Sequence, residues 1–306
     1  MNDVVLENVT KTYNKGQTLA VDSVSFSVEK GELFGLIGPD GAGKSSIFRI
    51  LTTLLLPDGG SASVNGLDVV KDYKAIRQTV GYMPGKFSLY QDLSIEENLN
   101  FFATVFNTTV QKNYDLIRDI YVQIEPFKHR RAGQLSGGMK QKLALCCALI
   151  HRPTVLFLDE PTTGVDTVSR KEFWEMLKRL KTQNITILVS TPYMDEASMC
   201  ERIALIQTGK ILSIDTPTNI VNNYPSPLYA IKSNEMSRLL RSLREAPQVD
   251  SCNAFGEFHH ITLNNPSPQT QNDLLTWLKQ HQFSELELKP TTPTIEDCFI
   301  KLMSHE

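Results

Sequence analysis

Long apolar runs are missing from this chain of 306 residues. A bilayer-spanning helix needs about 20 consecutive apolar residues, and the longest candidate, Leu143 to Ile150, falls far short of that. A buried core helix is the expectation there. The start, Met1-Asn2-Asp3, lacks a basic segment followed by an apolar one, so no signal peptide is expected. An excess of positive charge is also missing. Thirty-one Lys and Arg against 34 Asp and Glu leave a net charge of −3, which argues against a nucleic-acid partner and against a broad basic membrane-binding face. Cysteine is scarce. Cys146, Cys147, Cys200, Cys252 and Cys298 are odd in number and form no CxxC pair. That argues against a disulfide framework or a thiolate metal site and for reduced thiols. His259 and His260 are adjacent in a strand-like segment, which sends their side chains to opposite faces and argues against a shared metal. No internal repeat or low-complexity tract is present.

What is there reads as alternating strands and helices. Strands are expected at Val4–Val9 and Val21–Val28, the latter with Val24, Phe26 and Val28 on one face. Leu33 to Ile37 is continuously apolar, as a strand buried on both faces should be. A helix is expected from Lys44 to Leu56, ended by the turn residues Pro57-Asp58-Gly59-Gly60. Asn65-Gly66 predicts a tight hairpin. Ser94 and Glu97 form a capping box ahead of a mostly helical stretch running to Ile150. Buried strands follow at Val155–Leu158 and Thr186–Val189, with a helix at Ser169–Lys181 between them and a hairpin turned at Thr208-Gly209. The first domain is expected to end near Tyr224-Pro225. Beyond it the pattern reads strand 228–233, helix 235–245, strands 248–252 and 256–263, helix 268–281 and strand 284–289, a ferredoxin-like order.

Two segments carry chemistry. Gly38, Pro39, Asp40, Gly41, Ala42, Gly43, Lys44 and Ser45 fit G-x-x-x-x-G-K-S, with Ser46 following, between a predicted strand and a predicted helix. Glycines let the backbone N–H groups close on phosphate oxygens, and the helix start adds partial positive charge. Lys44 is expected to reach the β- and γ-phosphates of ATP, and the Ser45 hydroxyl to bind Mg²⁺. Val155-Leu-Phe-Leu-Asp159-Glu160 delivers two carboxylates at the end of a buried strand. Asp159 is expected to hold Mg²⁺, and Glu160 to act as general base toward a water attacking the γ-phosphate.

Leu135-Ser136-Gly137-Gly138-Met139-Lys140-Gln141 resembles the signature sequence of ABC ATPases. The resemblance covers residues 3–225 and implies an α/β P-loop core (1–225) with a helical subdomain (86–152) and an antiparallel β-subdomain, followed by a small α+β C-terminal domain (226–306). It implies that Ser136–Gly138 close over ATP held by a second ATP-binding subunit, two nucleotides lying between two subunits head to tail. By the same resemblance Tyr13 stacks on adenine, and Gly164-Val165-Asp166 crosses the dimer interface. Gly81-Tyr-Met-Pro, Phe87-Ser-Leu-Tyr90, Tyr193-Met-Asp-Glu-Ala and Thr291-Thr292-Pro293…Glu296-Asp297…Phe299 look most like ATPase subunits of ABC-2-type exporters, including multidrug and antibiotic efflux systems. The implied partner is a polytopic membrane permease, with this chain peripheral on the cytoplasmic face. The C-terminal domain is then either a regulatory or dimer-stabilising module or a packing extension.

Two positions depart from the family pattern. Gly85 stands where the family has a glutamine that senses Mg²⁺ and the attacking water, and Pro192 where it has a histidine that contacts the γ-phosphate. Neither replacement supplies the missing hydrogen-bonding group. The expectation is a subunit that binds ATP and hydrolyses it poorly at its own site, as one half of an asymmetric pair or as a homodimer with two slow sites. Two other classes stand beside the exporter. One is a non-transport ABC ATPase of translation or repair, against which the single ATPase unit and the absence of heptads argue. The other is an ATP clamp that never hydrolyses, against which Glu160 argues.

Overall fold

The computed structural model describes residues 1–304. They form two compact units, Met1–Pro217 and Thr218–Ser304. The first unit opens with β1 (Asn2–Tyr13), β2 (Thr18–Glu29), β3 (Leu33–Ile37), α1 (Lys44–Leu51), β4 (Gly59–Val64), β5 (Leu67–Asp68), α2 (Tyr73–Thr79) and β6 (Val80–Met83). Three helices come next, α3 (Ile95–Val105), α4 (Tyr114–Tyr121) and α5 (Gly137–Leu149). The unit closes with β7 (Val155–Asp159), α6 (Thr167–Lys181), β8 (Thr186–Thr191), β9 (Arg202–Gln207) and β10 (Lys210–Asp215).

Two sheets result. β2, β1, β4 and β5 form an antiparallel sheet, and β10-β9-β3-β8-β7-β6 form the six-stranded sheet that matters for function. Within it β9, β3, β8, β7 and β6 run parallel. Every residue of β3, β7 and β8 is buried, as continuous apolar runs in a covered parallel sheet require. α1 packs Ile47, Phe48, Ile50 and Leu51 into this core, Phe48 meeting Phe157 edge-on at 5.9 Å between centroids. Asn65 and Gly66 both have positive φ, 53° and 74°, the geometry of the expected tight hairpin.

α1 ends at Leu51 rather than at the expected Leu56. Thr53 takes a left-handed backbone, φ 62°, and the amides of Leu54 and Leu55 return to Arg49 O. Arg77 of α2 fixes this exit by donating to the Thr53 hydroxyl at 2.8 Å and carbonyl at 2.7 Å. The capping box at α3 forms in full: Glu97 N donates to Ser94 Oγ at 3.2 Å, and Ser94 N donates to Glu97 Oε2 at 2.8 Å. Ser94→Ala is expected to lower unfolding free energy by about 1 kcal/mol, read from urea denaturation. An unchanged midpoint would show that the cap contributes nothing.

The second unit contains most of a short helix, α7 (Pro217–Asn222), then β11 (Leu228–Lys232), α8 (Met236–Glu245), β12 (Val249–Phe255), β13 (Phe258–Leu263), α9 (Pro268–Gln280), β14 (Glu287–Thr291) and α10 (Ile295–Met303). The sheet order β12-β13-β11-β14 is antiparallel throughout, with the connectivity of a split β-α-β pair. β14 begins later than residue 284 because Gln282 and Glu285 turn with positive φ. α10 falls in the tail where no helix was expected, and Thr294 and Asp297 cap it reciprocally. His259 and His260 do face opposite ways: His259 Nε2 bonds Met236 O, and His260 Nδ1 bonds Asp297 Oδ1.

Candidate functional site

Four parallel strands, β3, β8, β7 and β6, deliver their C-terminal ends to one rim of the sheet, where ligands of open α/β sheets bind. β3 runs into the glycine-rich loop, and Gly38 N donates to Thr191 O at 3.2 Å, seating the loop on the end of β8. Glycine is required at two points. A Cβ on Gly38 would lie 2.1 Å from Ile206 O, and one on Gly43 would lie 2.2 Å from Ala20 O, with φ +103° there. The amides of Gly43, Lys44 and Ser45 have no acceptor among the described residues. They stand at the start of α1, a ready anion cradle. Lys44 is only 3% exposed. Its Nζ donates to Gly38 O at 2.8 Å and Pro39 O at 2.9 Å, and lies 3.2 Å from Glu160 Oε1.

β7 brings the carboxylates. Ser45 Oγ donates to Asp159 Oδ1 at 3.1 Å. These two oxygens are hard donors of the kind Mg²⁺ takes, so the residues fit the cation. Glu160 follows in a left-handed backbone, φ 49°, a strained state for a non-glycine residue. Ser190 of β8 holds it there, its carbonyl and its hydroxyl both accepting from Glu160 N, at 3.1 and 3.0 Å. The same hydroxyl donates to Asp159 Oδ1 at 2.6 Å. Burial, and behind it the charge of Asp159, push the Tyr82 phenol at this rim up to about 12, so Tyr82 stays neutral.

Position 85 abuts the Asp159 backbone and the base of the Glu160 side chain. A Cβ on Gly85 would lie 3.1 Å from Asp159 O and 3.8 Å from Glu160 Cβ, yet no side chain is present. Pro192 directly follows β8 at the same rim. Tyr13 sits beside the phosphate loop, its hydroxyl 3.0 Å from Ser46 Oγ.

Ser136–Gly138 and Asp166 form a second cluster. Ser136 caps α5 by accepting from Met139 N, and Asp166 caps α6 by accepting from Val168 N and Ser169 N at 3.1 and 3.0 Å. The Ser169 amide is the main cause holding the Asp166 carboxyl below its ordinary range. The helix starts nearly touch, since a Cβ on Gly138 would sit 2.9 Å from Ser169 Oγ. A cleft of about 180 Å³ lined by Gly85, Gly137, Gln141, Glu160 and Gly164 lies between the two clusters.

Sequence reasoning missed Ser190 and Glu196. Ser190 had a legible signal, a hydroxyl directly after the apolar buried run Ile187–Val189. Glu196 lies inside the Tyr193-Met-Asp-Glu-Ala phrase, which gives it no role, because its partners Thr162, Arg170 and Thr191 come from three separate segments.

On fold and site alone the protein falls among the P-loop ATPases. The family model described as ABC transporter matches residues 21–163. Across 99% of its length the chain is 37% identical to the probable multidrug ABC transporter ATP-binding protein YbhF of Escherichia coli. It spans 53% of that relative, about half its length. It is 33% identical to the Nod factor export ATP-binding protein I of Neorhizobium galegae, over 98% of this chain and 85% of that protein. Among solved structures it is similar to the ATP-binding cassette MJ0796, solved as a dimer with ADP and phosphate: TM-score 0.63, 26% identity, 70% of this chain and 98% of the other. The chain belongs to the ABC transporter ATP-binding proteins. Members of that family bind ATP, typically with Mg²⁺, and hydrolyse it.

Proposed function

We propose that this chain is the ATP-binding subunit of an ABC-2-type exporter and that its own nucleotide site turns over slowly. The triphosphate of ATP binds across the free amides of Gly43, Lys44 and Ser45, with Lys44 exchanging its protein acceptors for phosphate oxygens. Residues 38–46 surround the phosphates, and Tyr13, beside Ser46, lies under the adenine. Ser45 and Asp159 hold Mg²⁺, which when bound neutralises developing charge on the phosphates. Glu160 accepts the proton of the attacking water. Ser136–Gly138 and Asp166 serve the nucleotide of a second ATP-binding subunit in a head-to-tail dimer. A polytopic permease takes up the motion on the cytoplasmic face of the membrane. No helix of the described residues is long and apolar enough to cross a bilayer. An apolar groove of about 380 Å³ beside residue 85, lined by Leu54, Phe102 and Val105 among others, fits a permease segment. Residues 1–217 carry the nucleotide function, and 218–304 form a separate compact unit.

The observation that carries the slow site is the bare backbone of Gly85 against Asp159 and Glu160. The phosphate-gripping parts are present while the water-positioning amide is not, and Pro192 adds no ring nitrogen. Loss of one such contact costs about 10²–10³-fold in rate. Purified chain is expected to bind MgATP saturably and to release little phosphate alone. Rapid turnover of the isolated chain, abolished by Glu160→Gln, would contradict the slow-site reading.

A further inference from the structure

The carboxylate of Glu196, 3% exposed, gathers three side-chain donors. Oε2 accepts from Thr191 Oγ1 at 2.5 Å and from Thr162 Oγ1 at 3.1 Å, and Oε1 accepts from Arg170 Nε at 3.1 Å. Each donor belongs to a different part of the rim. Thr191 ends β8; its carbonyl accepts from Gly38 N, and its hydroxyl accepts from Tyr193 N at 3.1 Å, bridging Pro192. Thr162 lies two residues after Glu160, in a turn closed by Thr163 N to Glu160 O and Val165 N to Thr162 O. Arg170 is in the first turns of α6 behind Asp166, and its guanidinium also lies over the Tyr193 ring at 4.2 Å. Both threonines are fully buried, so no water replaces these bonds.

We propose that Glu196 is a positioning residue for ATP hydrolysis. It ties the 162–166 turn to the end of β8, and thereby sets Glu160 and Asp166 against the phosphate loop. Asp166's service to a second subunit rests on the dimer reading above; the tie itself does not. Only a carboxylate suits the place. Glutamine offers one carbonyl oxygen. Either its amide nitrogen faces the Arg170 N–H, or two buried hydroxyl protons lose their acceptor. With Pro192 unable to donate a hydrogen bond, the segment after β8 depends on this tie.

The test compares Thr162→Val, Thr162→Ser and Glu196→Gln in the full chain. Amide hydrogen exchange at 162–166 is measured without nucleotide, MgATP affinity by titration of purified chain, and kcat and KM in membranes where the chain is co-expressed with its permease. Thr162→Val and Glu196→Gln are expected to speed exchange at 162–166 by about tenfold. They are expected to lower kcat by about 10- to 100-fold, with KM and MgATP affinity unchanged. Thr162→Ser, which keeps the hydroxyl, is expected to restore both readouts. Wild-type exchange and kcat in folded Thr162→Val overturns the proposal. So does a matching loss of MgATP affinity, which marks Glu196 as holding up the fold alone. Failure of the wild-type chain to bind MgATP would instead sink the function proposed above, and the exchange measurement would still decide the tie.

Discussion

The Gly85→Gln, Pro192→His double variant is expected to raise ATP turnover of the purified chain by about 10²-fold or more. Each restored contact acts on the transition state, where a single donor is worth about 10²–10³-fold, and the two share one nucleotide, so their effects are not additive. The geometry allows the first change. The Gly85 backbone is not left-handed, and the position is exposed. A new Cβ needs only a small retreat from Asp159 O, at 3.1 Å, which an exposed loop permits. The carboxylates, Lys44 and the α5 start are already in place, so in the proposed head-to-tail dimer the variant would complete both sites. Phosphate release at saturating MgATP is the measurement. Turnover as slow as in the wild type, with nucleotide still bound, would locate the defect away from residues 85 and 192.

Lys44→Ala is expected to weaken MgATP binding by about 30- to 3,000-fold. Truncating one partner of a buried charge pair costs about 2–5 kcal/mol, and each 1.4 kcal/mol is about tenfold in Kd. The ammonium is buried among Gly38 O, Pro39 O and Glu160, so removing it also leaves a carboxylate facing the phosphate position. That second effect adds repulsion to lost attraction. Calorimetric titration of wild type and variant measures the difference, and equal affinities would remove the phosphate loop from the account altogether.

Much of this rim is legible in the sequence. The 38–45 loop was legible because glycine spacing encodes backbone shape, and Gly38 and Gly43 do sit where a Cβ would strike a carbonyl oxygen. Asp159 and Glu160 were legible because a buried apolar strand must end somewhere, and acids at its end mark the place. The end of α1 was not legible: apolar Leu54 and Leu56 continue the helical pattern, while the true stop depends on Arg77, far along the chain. β6 was missed because four residues in a row show no period. α10 was missed although Thr294 and Asp297 spell a capping box, since the tail was read as a motif and not as a helix start. The Glu196 tie needed the folded chain, because Thr162, Arg170 and Thr191 share no sequence pattern.

The two capped helix starts, at Ser136 and Asp166, are built from residues wholly separate from the Lys44–Glu160 rim. In the proposed head-to-tail dimer, what this molecule would lend to a neighbour and what it would do for itself reside in different side chains, joined through the Glu196 tie. A substitution outside that tie would then erode one trade and leave the other sound.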